Sequence, residues 1–361
     1  METAHAVPTL SIVMPVFNRE DEVQEMILSI QANTFTDWEL LCIDDGSDAS
    51  CIELLKNFSA ADPRIHFLQR ERMPKGAPTC RNIGLEAARG KYIIFFDSDD
   101  YITPECLATR VNAMEQHPEN DFMTAPSMVL TDGRFVYDKG SFMFGYPAFG
   151  TDDVNHFCRR ILPFVVCNNI YRLASLHKAN IVWDEALKSM QDADFNLTAL
   201  TAGLRYAYID CPPDYAYRIN STGAITQKMY TNEHNISFLH AIDKFYALTA
   251  TYGRRCHTAL FEGVILLYNR VSFQSANHDF ATKAIDIIRR YDTCHARIFA
   301  TIMWLTRMLE HIVSKKRARQ LPVLYYILKN KRIVKQKGTA ISAILQHTTH
   351  LAEYHPLVTR Q

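Results

Sequence analysis

The stretch from Tyr92 to Asp100, with the sequence YIIFFDSDD, constrains the fold more than any other part of the chain. Five apolar or aromatic residues in a row predict a buried central strand. Three carboxylates then follow within four positions, and like charges this close stay ionised together only beside a positive partner. Oxygen ligands of this kind suit Mg²⁺ or Mn²⁺. Asp97, Asp99 and Asp100 are therefore candidate metal ligands, and the alternative is a solvated turn before a helix that starts near Thr103.

The first hundred residues alternate between strand and helix patterns. Apolar runs at residues 10–16, 38–43 and 65–68 predict three further strands, with amphipathic helices between them. This alternation is typical of a mostly parallel sheet with right-handed crossovers, in an α/β unit of the nucleotide-binding type. Ser50 is expected to cap one helix and Gly90 to end another.

Polar side chains follow three of these strands. They are Asn18 after the first, Asp44 and Asp45 after the second, and the acidic triplet after the fourth. Because the carboxyl ends of parallel strands meet at one edge of a sheet, we expect these groups to converge on one cleft. A carboxylate there can accept the ring N–H of a nucleotide base, with Phe17 packed beside the base.

The pattern changes beyond residue 120. Residues 123–130 and 134–137 predict a hairpin, residues 154–162 and 192–202 helices, and residues 205–209 and 215–219 strands. From Glu233 onward only helical patterns occur. We therefore predict two domains, a catalytic unit at 1–230 and a helical region at 231–361.

Several function classes are disfavoured by missing motifs. The first strand is followed by no GxGxxG, which argues against NAD or FAD, and the chain has no GxxxxGK[ST] of P-loop NTPases. Asp97-Ser98-Asp99 also matches the DxD of haloacid-dehalogenase phosphatases, but there the motif follows the first strand. Nine scattered cysteines without a CxxC pair favour reduced thiols and a cytoplasmic location. No signal peptide is visible, no apolar run is long enough to span a bilayer, and no nucleic-acid partner is expected.

Four linked motifs resemble the family 2 glycosyltransferases of the GT-A fold. They are residues 11–18 (SIVMPVFN), 43–48 (IDDGSD), 81–84 (RNIG) and 96–100 (FDSDD), in matching order and spacing across roughly residues 9–130. The likeness continues more loosely through residues 168–172, 191–195 and 215–218 and gives nothing beyond about 230. It implies a Rossmann-like, mostly parallel sheet with helices on both faces. It also implies inverting transfer from a nucleotide sugar, usually a UDP-sugar, in synthesis of a bacterial surface polysaccharide or lipopolysaccharide.

The resemblance also implies roles for individual residues. Pro15, Phe17 and Asn18 would border the uracil, and Asp45, with Asp44 beside it, would accept from its N3–H. Arg81 would lie near the base or the diphosphate. Asp97 and Ser98 would be on the donor side, with Asp97 reaching the ribose or the metal, Asp99 the main metal ligand and Asp100 supporting it. The family often has Tyr where Phe17 stands.

The catalytic base is predicted in the next motif. The family's usual Glu-Asp pair is Gln191-Asp192 here, so the resemblance implies Asp192 as the base that takes the acceptor proton. Asp194 is the nearby alternative for the base. A purely structural interpretation is that Asp192 is an acid that stabilises the N-terminus of a helix through the helix dipole. Arg218 is a candidate diphosphate contact through the loop at 220–223, or a plain surface arginine.

The C-terminal region has an uneven charge distribution. Although Lys plus Arg equals Asp plus Glu at 39 each, residues 315–337 contain nine Lys or Arg and no acid, interleaved with apolar residues at 321–328. One interpretation is a helical hairpin whose apolar face packs on the preceding helices. The other is a peripheral anchor on the anionic inner face of the plasma membrane, where a glycan or lipid-linked acceptor would be met.

Two other functions remain open from the sequence. A nucleotidyltransferase shares the sheet architecture but needs a glycine-rich, basic loop after the first strand, and residues 15–18 are not such a loop. A nucleotide-sugar-binding scaffold without catalysis is the non-enzymatic alternative, and Gln191 is the feature that favours it.

Overall fold

The computed structural model describes residues 7–131, 134–136, 144–146, 152–218, 231–274, 279–313, 315–318, 320–322 and 324–325. Its strands are β1 (Leu10–Val16), β2 (Trp38–Asp44), β3 (Ile65–Gln69), β4 (Tyr92–Phe95), β5 (Tyr101–Ile102), β6 (Phe122–Thr124), β7 (Ser127–Thr131), β8 (Arg134–Val136), β9 (Asn169–Arg172), β10 (Tyr206–Tyr208) and β11 (Tyr215–Arg218). Its helices are α1 (Glu20–Gln31), α2 (Ala49–Ala61), α3 (Ala77–Ala87), α4 (Cys106–Gln116), α5 (Asp153–Cys158), α6 (Leu173–Lys178), α7 (Gln191–Thr201), α8 (Asn232–Leu248), α9 (Gly253–Gln274), α10 (Asp279–Tyr291), α11 (Thr293–Glu310) and the short α12 (Lys315–Ala318).

A seven-stranded sheet in the order β10-β6-β9-β4-β1-β2-β3 forms the centre of the molecule. The four strands β3, β2, β1 and β4 run parallel, as the alternation of strands and helices predicts. Strands β1, β2 and β4 are buried almost throughout because helices cover both faces of the sheet, which explains their continuous apolar sequences. The expected GT-A architecture, with helices following the sheet domain, is confirmed.

Strand β9 pairs antiparallel with β4 on one side and with β6 on the other. It inserts a reversed strand into the parallel sheet and was not predicted from the sequence. The loop before β9 is thereby brought beside the end of β4, where Cys167 contacts Asp97.

A second, four-stranded sheet has the order β5-β11-β7-β8. The strand predicted at residues 123–130 is divided between the two sheets at Ala125-Pro126, because proline has no N–H for a sheet hydrogen bond. The predicted hairpin is confirmed in the pairing of β7 with β8. Strand β11 lies between β5 and β7. Arg218 at its end is therefore placed next to the loop of residues 97–100, which we call the acidic loop.

Two capping predictions were wrong. Helix α2 begins at Ala49, and the Ser50 hydroxyl donates to a carboxylate oxygen of Glu20 at 2.5 Å instead of capping the helix. Helix α3 ends at Ala87, before Gly90. A Cβ at Gly90 would lie 2.6 Å from the backbone nitrogen of Ser11, so the glycine allows close packing against β1 rather than a left-handed cap.

The C-terminal helices pack directly on the underside of the sheet domain. One cluster of buried side chains runs from Phe95 and Phe195 through Phe238 of α8 to Phe261 of α9 and Phe299 of α11. Helix α9 approaches α5 so closely that a Cβ at Gly263 would meet the carbonyl oxygen of Cys158 at 2.1 Å. The two predicted domains, 1–230 and 231–361, therefore share one continuous apolar core. The boundary between them stays a prediction.

The start of the basic segment lies against these helices. Ala318 is buried, and the ring of Tyr325 packs edge-on against Phe261. Residues 326–361 lie outside the described residues, so neither interpretation of the basic tail is tested there. Among the described residues, no helix has both the length and the apolar character needed to cross a bilayer.

Candidate functional site

The carboxyl ends of β1, β2 and β4 meet at one edge of the sheet, as predicted. The backbone N–H of Asp45 donates to the Val16 carbonyl at 2.8 Å, and that of Phe96 donates to the Val13 carbonyl at 3.0 Å. The hydrogen bonding between neighbouring strands therefore continues into the first residues of the loops that follow β2 and β4. The polar residues after the three strands are thereby placed around one cleft.

The two carboxylates after β2 have different surroundings. Asp44 accepts hydrogen bonds from the backbone N–H groups of Gly46 and Ser47, so it shapes its own loop. The Asp45 carboxylate accepts from Arg70 Nε at 2.6 Å and from the Gly76 N–H at 3.1 Å. Asp45 therefore faces the loop before α3, while Asp44 serves a structural turn.

The loop after β1 lies beside the loop before α3. Phe17 is half exposed, and the Lys75 ammonium lies 3.6 Å from the centre of its ring. Asn18 has φ 56°, a left-handed conformation that asparagine tolerates, and its side chain accepts from the Asp48 N–H at 2.8 Å. Pro15 is partly exposed and lies opposite Ile43 in the parallel register. The three residues predicted to border the base therefore lie together.

Arg81 is the central cation of the site. It projects from α3, is buried, and stacks over the indole ring of Trp183 at 4.4 Å. Its two terminal nitrogens donate to Asp97 at 2.5 Å and to the Gln191 side-chain oxygen at 3.0 Å. Gln191 thus supplies a neutral acceptor where the resemblance implies a glutamate, and it ties Arg81 to the start of α7.

The acidic loop after β4 carries its three carboxylates in three environments. Asp100 is buried and accepts from the Tyr215 hydroxyl and from the Arg218 N–H. Burial raises the pKa of Asp100 well above its ordinary value, and the charges of Asp99 and Asp97 act in the same direction. Asp99 instead pairs with the guanidinium of Arg19, which follows Asn18 in the chain.

Ligand atoms of Asp97, Asp100 and Cys167 lie within 4.8 Å of one another. The buried Cys167 thiol donates to Asp97 at 3.5 Å, and its part in this group was not predicted from the sequence. Two carboxylates drawn together in this way fit a hard divalent cation, because such an ion offsets their mutual repulsion. The side-chain chemistry of the site is thus compatible with Mg²⁺ or Mn²⁺.

Arg218 braces the acidic loop from the second sheet. Its Nε donates to the backbone carbonyl of Asp99 at 2.8 Å, and one terminal nitrogen donates to Glu25 of α1 at 2.5 Å. The loop at 220–223, through which a diphosphate contact is predicted, lies outside the described residues. Ser98 is partly exposed between Asp97 and Asp99.

Asp192 lies in the first turn of α7, next to Gln191, and faces the Arg81–Asp97 pair. One of its carboxylate oxygens is shielded from solvent and has no hydrogen-bond partner among the described residues. Burial raises the pKa of Asp192, the charge of Asp97 raises it further, and the charge of Arg81 opposes both. Asp192 is thus an available proton acceptor beside the cleft.

Asp194, the alternative base, has different partners. It is buried and pairs with Lys244 of α8 at 2.8 Å. Burial raises the pKa of Asp194 to about 6, and Lys244 limits the rise. The carboxylate thus contributes to the contact between α7 and the C-terminal helices.

Four residues of this cleft were missed in the sequence. They are Arg19, Arg70, Lys75 and Cys167, each of which contacts a predicted site residue. Arg19 follows the predicted Asn18 directly, so adjacency was the one available signal. Cys167 likewise precedes the motif at 168–172, whereas Arg70 and Lys75 come from a loop without a recognisable pattern.

Comparison with known proteins agrees with this architecture. Residues 11–178 match the model of the family described as Glycosyl transferase family 2. The chain is 27% identical over 234 residues to the uncharacterized glycosyltransferase EpsJ of Bacillus subtilis, covering 63% of this chain and 67% of that protein. It is 26% identical over 228 residues to a poly(ribitol-phosphate) beta-glucosyltransferase of Bacillus spizizenii, covering 63% of this chain and 34% of that protein.

The fold extends along nearly the whole chain. The crystal structure of S. aureus TarS 1–349 in complex with UDP-GlcNAc superposes with a TM-score of 0.61 at 18% identity, covering 95% of this chain and 93% of that one. The matched region spans from about a third to two thirds of the length of the two curated relatives named above. The motifs, the parallel sheet and the matched residues 11–178 thus make the sheet domain of this chain similar to glycosyl transferase family 2.

Proposed function

We propose that this protein is an inverting, metal-dependent glycosyltransferase that moves a sugar from a nucleotide sugar, most simply a UDP-sugar, to a hydroxyl of a glycan or lipid-linked acceptor. The observation that carries the proposal is the position of Asp192. This carboxylate lies in the first turn of α7, close enough to Arg81 and Asp97 for their charges to shift its pKa, and one of its oxygens has no hydrogen-bond partner among the described residues. A base so placed can reach an acceptor on the face opposite the leaving diphosphate.

The base and ribose of the donor would lie between the loops after β1 and β2. The Phe17 ring, with Lys75 over one face, offers a flat apolar surface. The Asp45 carboxylate, oriented by Arg70 and the Gly76 N–H, would accept the N3–H of uracil. Asp44 would act indirectly, by holding the turn that presents Asp45.

The diphosphate would lie near the acidic loop. A divalent cation bound there would offset the negative charge that develops on the leaving diphosphate. Asp97, Asp99 and Asp100 are the proposed ligand set, with Ser98 on the donor side. At Asp99 the metal would compete with Arg19, and Cys167 lies close enough to Asp97 to border the ion.

Arg81 would connect the two halves of the reaction. It contacts Asp97 on the donor side and Gln191 on the acceptor side, beside Asp192. A buried guanidinium in this place adds positive charge near the diphosphate. It also lowers the pKa of Asp192 against the effect of burial, which keeps that carboxylate available as a base. Arg218 would support the site by holding the acidic loop in place.

The proposed setting is the synthesis of a bacterial surface polysaccharide at the cytoplasmic face of the membrane, to which the protein would bind peripherally. The name of the B. spizizenii relative, a poly(ribitol-phosphate) beta-glucosyltransferase, is in keeping with a polymeric acceptor. The basic segment at 315–337 is in keeping with an anionic membrane surface.

A panel of UDP-sugars with Mn²⁺ tests the proposal, with slow hydrolysis to UDP as the readout. Hydrolysis that needs the metal and disappears in Asp99→Ala is the expected result. Calorimetric titration of Mn²⁺ in the presence of UDP should show the same loss, because the substitution removes a ligand. Pyrophosphate release from a nucleoside triphosphate and a sugar phosphate would instead support a nucleotidyltransferase. Binding without turnover under every condition would support a scaffold protein.

A further inference from the structure

We infer that the outer face of α11 is a membrane-binding surface that inserts apolar side chains into an anionic lipid interface. The inference deepens the proposed peripheral location and rests on it. It assigns the contact to a described helix rather than to the basic tail alone.

Helix α11 is apolar on both sides. Its inner side packs into the C-terminal core through Phe299, Ile302 and Met303, all buried. Its outer side exposes a second apolar set that shares one face of the helix and the turn after it: Ile298, Trp304, Leu305, Met308 and Ile312. The spacings of three, four and seven residues put these side chains in one stripe. Thr301 lies within this stripe and donates its hydroxyl to the backbone carbonyl of Arg297 at 3.0 Å. A set of exposed apolar side chains of this kind marks an interaction site.

Trp304 distinguishes this stripe from a random group of exposed residues. The chain has three tryptophans, and the other two, Trp38 and Trp183, are each only 2% exposed, whereas Trp304 is 60% exposed. Tryptophan prefers the boundary between lipid tails and headgroups, where its ring is partly desolvated and its N–H stays wet.

The charges around the stripe favour an anionic surface. Arg297 and Arg307 of α11 are exposed, and Arg317 follows in the next helix. The one acidic residue of α11 is Glu310, at its last position. Cations flanking an apolar stripe are the composition of helices that lie in the membrane interface.

The same charges disfavour two other occupants. A symmetric contact with a second copy would place the exposed arginines of both chains in one interface. The chain's own residues 326–361 carry six Lys or Arg against one acid, so they would be repelled as well. A lipid surface rich in anionic headgroups offers an apolar interior for the stripe and negative charge for the arginines around it.

Trp304 makes the inference directly measurable. We expect the full chain to co-sediment with phosphatidylglycerol-rich vesicles at low salt and to bind neutral phosphatidylcholine vesicles more weakly. On binding, tryptophan emission should shift to shorter wavelength and be quenched by brominated lipid. Trp304→Phe should still sediment but lose the emission response, because the buried Trp38 and Trp183 stay out of the lipid.

Charge placed in the stripe should prevent insertion. Met308→Glu, at a position 48% exposed, should weaken vesicle binding about ten- to hundredfold, since an inserted apolar side chain is lost and an acid faces anionic lipid. Ile236→Glu is the matched control, because Ile236 is 58% exposed on α8, outside the stripe, and its replacement should leave binding unchanged.

Three results would overturn the inference. One is vesicle binding equal in Met308→Glu and wild type, which would assign the contact to the basic tail alone. Another is sedimentation of the wild type without any response of Trp304. The third is self-association in solution that Met308→Glu abolishes, which would make the stripe a contact between copies. UDP-sugar hydrolysis without vesicles is measured on the same variants, so loss of the proposed activity is distinguished from loss of the surface.

Discussion

The guanidinium of Arg19 is bound to the carboxylate of Asp99, the residue expected to bind the metal most directly. Arg19 has φ 67° and follows Asn18 with φ 56°, so two consecutive left-handed residues turn this side chain toward the acidic loop. A cation of the chain therefore occupies the carboxylate that a metal would need. A metal ion at Asp99 would compete with this ion pair.

Arg19→Gln should therefore strengthen the binding of Mn²⁺ in the absence of nucleotide. The pair is partly exposed, and such pairs contribute up to about 1 kcal/mol, so we expect a gain of about two- to fivefold in affinity. Titration calorimetry with Mn²⁺ alone measures it. Arg64→Gln is the control, because Arg64 pairs with Asp62 away from the site. Equal or weaker Mn²⁺ binding in Arg19→Gln would show that Asp99 does not take part in the metal site.

Asp192→Asn should lower kcat by roughly 10²- to 10⁴-fold, because the substitution keeps the shape of the side chain and removes the proton acceptor. The affinity for UDP should change little, since Asp192 lies on the acceptor side of Arg81. UDP release under saturating donor is the measurement. Asp194→Asn is the matched control, and its kcat should stay close to wild type because Asp194 faces Lys244. A large loss in Asp194→Asn with none in Asp192→Asn would reverse the assignment.

The acid limb of the pH profile should report Asp192. The base acts as a carboxylate, and burial raises its pKa, so kcat/KM should fall as the pH drops through a value above that of an ordinary aspartate. Gln191→Glu adds a negative charge beside Asp192 and should move the limb to higher pH. Asp194 has a raised pKa of about 6, so Asp194→Asn must leave the limb in place if Asp192 is responsible.

The sequence predicts that these polar residues share one edge of the sheet because strand ends are a property of local pattern. Continuous apolar runs identify β1, β2 and β4, and parallel strands bring Asn18, Asp45 and Asp97 to one edge whatever the rest of the chain does. The partners of those residues were not predictable. Arg70 binds Asp45 across 25 positions and Cys167 binds Asp97 across 70, and no local pattern encodes such distances.

Other misses have equally physical reasons. Strand β9 has four residues and no alternation, so nothing in it separates a reversed strand from a loop. The division of residues 123–130 between two sheets depends on Pro126, which has no N–H to continue the ladder of the first sheet. A glycine after a helix predicts a helix cap at Gly90. In the structure this position needs a glycine because a Cβ there would collide with the backbone of β1.

The buried pair of Arg110 and Asp214 should dominate the stability of the loop that carries Cys167. Arg110 is fully buried, donates to both Asp214 oxygens at 2.8 and 2.6 Å, and donates to the Cys167 carbonyl at 2.7 Å. Asp214→Ala leaves a buried guanidinium without its counter-ion, so we expect a loss of about 3–5 kcal/mol in the free energy of unfolding. Urea denaturation measures it.

Two further variants control this prediction. Arg110→Met combined with Asp214→Leu should be less destabilising than Asp214→Ala, because no charge is left buried. Lys91→Met removes an exposed pair with Glu115 of similar length and should cost no more than about 1 kcal/mol. Equal losses for the buried and the exposed pair would contradict the argument.

Ser237 of α8 should position the catalytic helix from the C-terminal region. Its hydroxyl oxygen accepts from the backbone N–H groups of Lys188 at 2.9 Å and Ser189 at 3.0 Å. These residues lie just before the left-handed Met190, at φ 66°, where α7 and its Asp192 begin. Helix α8 therefore fixes the segment that presents the proposed base, although the family match ends at residue 178.

Ser237→Ala should leave those two N–H groups without an acceptor, and the segment should shift to find new partners. Because a displacement of about 1 Å at a reacting group can cost 10²-fold in rate, kcat should fall roughly ten- to a hundredfold. Donor affinity should change less than kcat, since this segment reaches the donor loop at Lys75 through the flexible Lys188 side chain. Ser237→Thr keeps the hydroxyl and should restore most of the rate. A variant that is merely less stable, with normal kcat well below its unfolding temperature, would show that Ser237 supports the fold and not the position of Asp192.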